Sequence, residues 1–163
     1  MIPDIESIDL KLNKLKPKLI VWLIPIAYLF HLIEEYYANV GFSKWFSTIF
    51  NADLSTSDFI IINVIAFSIV LIIAILYSLN KIDNLIIAVL GLLLFINGIV
   101  HAAASLLLIT YSPGTITGIF LYIPIGFLIF KVIFPLLEER HKFYSIISAV
   151  TLQIIIAVIA LNI

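Results

Sequence analysis

The chain has 163 residues, of which 63% are apolar and 12% charged, with a net charge of −1 and no cysteine. An ordinary globular chain is about 45–50% apolar and about 25% charged, and a water-soluble fold of this size cannot hide so much apolar surface. The charge balance excludes a nucleic-acid partner, and the missing thiols exclude disulfides, thiolate metal sites and cysteine nucleophiles.

Taken in chain order, residues 1–18 come first. They carry Lys11, Lys14, Lys16 and Lys18, with Ile8, Leu12 and Leu15 on one helical face, and predict an amphipathic arm on a membrane surface. Five apolar runs follow, at 19–38, 59–79, 85–109, 115–134 and 143–163. Each is near the ~20 residues that cross a bilayer as a helix, and the strict alternation of a membrane β-barrel is absent. The expected fold is therefore all-α: a polytopic helix bundle of five spans, with residues 19–163 as one transmembrane domain. Between the first two runs, Phe42, Trp45, Phe46, Ile49 and Phe50 recur at helical spacing. A segment at 42–50 with that stripe suits the headgroup layer, as an anchor or as a lid over a site on its side of the membrane.

Basic residues set the expected orientation. Eight of the nine lie in the arm (Lys11, Lys14, Lys16, Lys18), in the 80–84 connection (Lys81) or in the 131–142 connection (Lys131, Arg140, Lys142). Lys44 alone lies on the other side, so the N-terminus is expected inside and the C-terminus outside, in a multi-pass protein of a bacterial cytoplasmic membrane. The first apolar run starts late, is long and has no small-residue cleavage site after it, which argues against a cleaved signal peptide.

Polar residues inside the spans are the informative exceptions, because an ionisable group in lipid costs a few kcal/mol or more and faces a cavity or a partner. The first span holds His31, Glu34 and Glu35 on one face, with small Ala27 and Ala38 continuing it and Pro25 set to bend the helix. The third span holds Asn97, His101 and Ser105 in one stripe, with Ala102, Ala103 and Ala104 beside it and Gly91 and Gly98 on a neighbouring face. At 1.5 Å per residue, His31 and Glu35 lie about 18 and 24 Å up the first span and His101 about 24 Å up the third. Asn63 and Tyr122 lie about 6 and 10 Å below the outer ends of two descending spans. The five groups can meet in the outward half of the membrane, beneath the Thr110–Thr115 turn.

His31-Leu32-Ile33-Glu34-Glu35 resembles the motif that names the HXXEE family of small bacterial membrane proteins. The resemblance extends to Asn97 and His101 and to the Tyr111-Ser112-Pro113-Gly114 turn, and covers about residues 22–130. The family is described as of unknown function, so the resemblance implies a membrane protein for which enzymatic activity is the expectation, and the chemistry has to come from the residues.

Three chemistries fit. In the first, His31 and Glu35 at i, i+4 grip a divalent metal (zinc, iron or manganese) with His101 as third ligand and Glu34 as general base or further ligand. In the second, the same four residues act without metal as acid and base, moving or protonating a double bond in a lipid. In the third, they mark a proton or ion pathway or a ligand cavity. Metal-dependent catalysis is the leading expectation, with Asn97, Ser105, Tyr111, Asn63 and Tyr122 around it. Expected partners are membrane lipid or a hydrophobic small molecule, with self-association allowed. Asn63 and Gln153 also read as interhelical hydrogen-bonders, Lys131 as a snorkelling end residue, and Glu138, Glu139, Arg140 and His141 as a solvated loop. Ser105 lacks an identifiable oxyanion hole and reads poorly as a hydrolase nucleophile.

Overall fold

The computed structural model describes residues 17–162, so the amphipathic arm expected at 1–18 lies almost wholly outside the described residues. The described chain carries five helices long and apolar enough to cross a membrane: α1 (Pro17–Tyr37), α3 (Thr56–Ser78), α4 (Asn84–Leu107), α5 (Thr115–Leu136) and α6 (Glu139–Leu161). A sixth, α2 (Phe42–Phe50), links α1 to α3. The fold is an all-helical, multi-pass membrane bundle.

Local sequence accounts for the helix ends and breaks. Pro25 has no N–H for the Val21 carbonyl, which instead accepts from Ile24 N at 3.1 Å, so α1 is irregular at Val21–Trp22. α3 starts three residues before the apolar run at 59, because Ser55 caps it and exchanges hydrogen bonds with Asp58. α6 starts at Glu139, which corrects the reading of Glu139, Arg140 and His141 as loop. These residues form its charged first turn, with Glu138 extended before it and Arg140 Nε and Lys142 Nζ donating to Glu138 and Glu139 at 3.0 and 2.6 Å.

Packing divides the bundle unevenly. α4 is central and packs on α5 and α6, while α1 packs on α3 and on the first turns of α5. The α4–α5 contact is close because glycines face one another. A Cβ on Gly98 would meet the Gly118 carbonyl at 2.7 Å, and one on Gly126 would meet the Gly91 carbonyl at 2.7 Å. Ile24, Ile87, Ile129 and Ile133 fill the core at the end away from the α2 linker. There Lys18 Nζ donates to the Ser78 carbonyl at 3.2 Å, placing a cation on the C-terminus of α3. At the other end, Trp45, Phe46, Leu54 and Phe59 form a second small core under α2. The aromatic stripe of α2 is therefore divided: Trp45 and Phe46 are buried against protein, whereas Ile49 and Phe50 remain exposed.

Candidate metal centre

His31 and Glu35 project from consecutive turns of α1 and His101 from α4, all three side chains buried. Glu35 Oε1 lies 3.5 Å from His31 Nε2 and 3.4 Å from His101 Nε2. The rings of His31 and His101 meet edge to face at 4.9 Å. One ligand atom from each of the three residues falls within a 4.8 Å group. Tyr122 stacks on His31 at 4.1 Å from the other side, and Phe42 of α2 lies 5.7 Å from the His101 ring. Tyr122 is delivered from a π turn, Gly118–Tyr122, in which Ile123 N–H reaches back to the Gly118 carbonyl just ahead of Pro124.

The outer nitrogens of both histidines are held by the turn between α4 and α5. His31 Nδ1 is 2.8 Å from Thr117 Oγ1, and Thr117 Oγ1 donates its one proton to Glu34 Oε2 at 2.5 Å. The threonine oxygen can then only accept from His31, so the ring carries a proton on Nδ1 and turns its Nε2 edge to Glu35. His101 Nδ1 is 3.2 Å from Ser112 Oγ, and Ser112 N donates to Ser105 Oγ at 2.8 Å. Gly114, at φ +100°, lets this turn descend onto the rings. A Cβ there would stand 2.7 Å from His31 Cε1 and 2.9 Å from His101 Cε1.

Glu34 does not join the other three. It reaches the start of α5 and accepts from Gly114 N at 3.1 Å, Ile116 N at 2.9 Å, Thr117 N at 2.6 Å, Thr117 Oγ1 and the Tyr111 hydroxyl. A carboxylate has about four lone-pair sites, and five donors occupy them. This corrects the expectation that Glu34 joins the other three as a further ligand: it caps α5 from another helix, satisfying N–H groups that a helix start leaves unpaired. Burial first, and then the bond to Glu34, push the Tyr111 phenol above its ordinary pKa.

The surrounding residues separate in the same way. Ser105 braces the turn through Thr115 Oγ1 at 2.6 Å and Ser112 N, and its hydroxyl pairs with neither histidine. Asn63 accepts from Tyr28 Oη at 2.8 Å and ties α3 to α1 as an interhelical bond. Asn97, expected beside His101, has its carbonyl oxygen buried without a hydrogen-bond partner among the described residues. Thr117 and Ser112 are the contacts that spacing did not single out. They lie 86 and 11 residues from the histidines they hold.

No curated protein and no solved structure matches this chain. The family model described as a protein of unknown function with HXXEE motif matches residues 22–129, and the chain belongs to that family.

Proposed function

We propose that the chain is an intramembrane enzyme in which His31, Glu35 and His101 bind one divalent metal, zinc, iron or manganese, and that it acts on a lipid or other hydrophobic substrate. The observation that carries this reading is the distance from the Glu35 carboxylate to the inward nitrogen of each histidine. Metal–ligand bonds of about 2.0–2.1 Å at tetrahedral angles place ligand atoms about 3.3–3.4 Å apart. Glu35 Oε1 stands 3.5 and 3.4 Å from the two Nε2 atoms. An imidazolium–carboxylate hydrogen bond would be shorter, about 2.7–2.9 Å. The Nδ1–H assigned to His31 adds to this. In the neutral ring that proton leaves Nε2 as the atom free to bind an ion held between it and Glu35. Two histidines and one carboxylate leave a fourth position for water or a substrate oxygen, which the ion would polarise. Glu34 and Thr117 are positioning residues that fix the His31 ring.

Elemental analysis of protein purified without added chelator tests this directly. About one zinc, iron or manganese per chain is expected, removed by a strong chelator together with activity. A metal-free protein whose activity survives chelation overturns the assignment and leaves the same buried residues as an acid–base pair for lipid isomerisation or cyclisation.

We also propose that the N-terminus lies in the cytoplasm and that α2 and the 108–114 turn face outward, on the strength of the basic residues. A reporter that is active only outside the membrane, fused after Ile163, should be active, and a cytoplasm-only reporter there should be silent. The opposite pattern reverses the orientation.

A further inference from the structure

Two clefts lie along α1, α2 and α3, and one of them reaches Glu35 of the proposed metal centre. One, of about 240 Å³, lies between the end of α1, α2 and the start of α3, and is lined by Glu35, Tyr36, Phe42, Ser43, Thr56 and Phe59 among others. The other, of about 200 Å³, is a groove between α1 and α3 lined by Leu32, Ile33, Tyr37, Ile60 and Val64 together with Tyr36 and Phe59. Tyr36 and Phe59 line both, so the groove and the cleft adjoin along these two residues. Polarity changes along this path. The groove is walled by aliphatic and aromatic side chains, and Ile33 and Val64 are open on the membrane-facing surface. Ser43 and Thr56, whose hydroxyls lie 3.1 Å apart, line the cleft together with Glu35.

We infer that this path holds a single-chain amphiphile with an uncharged oxygen head, such as an alcohol, aldehyde or ester, its tail in the α1–α3 groove and its head over Glu35. The inference rests on the proposed metal centre for its chemistry and on the two clefts for its shape. Each cleft is smaller than the ~300–1,000 Å³ of a typical ligand pocket, which suits one head and one tail rather than a two-tailed lipid. No lysine, arginine or histidine lines either cleft, and the charged side chain that does is a carboxylate. A phosphate head would meet no fixed cation from the described side chains, and sites that recognise phosphate supply one. Hydroxyls at Ser43 and Thr56 can pair with a neutral oxygen in the cleft that Glu35 also lines. Tyr36, at the shared wall, has the apolar body and polar tip suited to the boundary between tail and head.

The test is photolabelling in phosphatidylcholine nanodiscs with hexadecanol carrying a diazirine on its tail, with metal content measured on the same samples. Labels should concentrate on residues 32–37 and 59–64, several-fold above the lipid-facing stretch 146–156 of α6. Unlabelled hexadecanol should compete, and hexadecyl phosphate should not. Val64→Trp, and separately Ile60→Trp, should reduce the α1 and α3 labels to the α6 level while metal content stays unchanged. Equal labelling on α6, which would mean bulk lipid only, overturns the inference. So does full labelling in both tryptophan variants, or equal competition by the phosphate. The metal reading fails separately, by absence of metal from wild-type protein whatever the labels show.

Discussion

Alanine at His31 or at His101 should strip the metal from the purified protein, whereas Glu34→Gln should keep most of it. Each histidine supplies one of three inward atoms, and losing an outer partner of a ligand already costs about 10–100-fold in affinity, so losing the ligand itself costs more. Metal is therefore expected to fall from about one per chain to near background in either alanine variant. Glu35→Gln should do the same, because it removes the charge that offsets the ion. Glu34→Gln has a different effect. Its amide would turn an NH2 group toward Thr117 N–H or toward the donors at Tyr111, Gly114 and Ile116. At least one buried donor then loses its acceptor, at about 1–3 kcal/mol, and the His31 ring loses its fixed orientation. The expected result is a lower melting temperature and a metal affinity weakened by about 10–100-fold. A Glu34→Gln protein with wild-type stability and metal content but no turnover would restore Glu34 as a base and sink the capping role.

Glu34 also shows where sequence reasoning stops. The i, i+4 spacing of His31 and Glu35 and the depth of His101 are consequences of helix geometry, so the cluster they form is legible before any packing is known. Adjacent residues on a helix are about 100° apart, and a polar face that wide touches two neighbours. Glu35 turns to the histidine on α4 and Glu34 to the start of α5. Which of the two joins His101 depends on how the helices are arranged, and no pattern along α1 encodes that. The Thr117–His31 contact depends on the same arrangement across 86 residues. The five spans were readable because long apolar runs have few alternatives in lipid, but their ends were not. Ser55 and Asp58 extend α3 upstream, and Glu139 to His141 extend α6, through capping and charged first turns that a hydropathy reading counts as loop. Asn97 lies on the same face as His101 by spacing yet makes no polar contact with it.

Gly114→Ala should damage the histidine cluster as well as the fold, and Gly41→Ala is its control. Both glycines have positive φ, Gly114 at +100° in the left-handed region and Gly41 at +81° with ψ 154°, so alanine strains either one by about 1–3 kcal/mol. They differ in what the added carbon meets. At Gly41 its nearest neighbour is the Tyr36 carbonyl at 3.2 Å. At Gly114 it stands 2.7 Å from His31 Cε1 and 2.9 Å from both Cε1 and Nδ1 of His101, which real carbon contacts do not reach. The turn or the rings must move, adding about 1–3 kcal/mol of overpacking. Either movement draws Thr117 and Ser112 away from the nitrogens they hold. Both variants should therefore melt earlier than wild type, Gly114→Ala by the larger step. Only Gly114→Ala should also lose metal affinity, by about 10–100-fold, as expected when the partners of two ligands are displaced together. Equal metal retention in the two variants would mean that the turn covers the histidines without orienting them, and the argument that assigns a proton to His31 Nδ1 would lose its functional consequence.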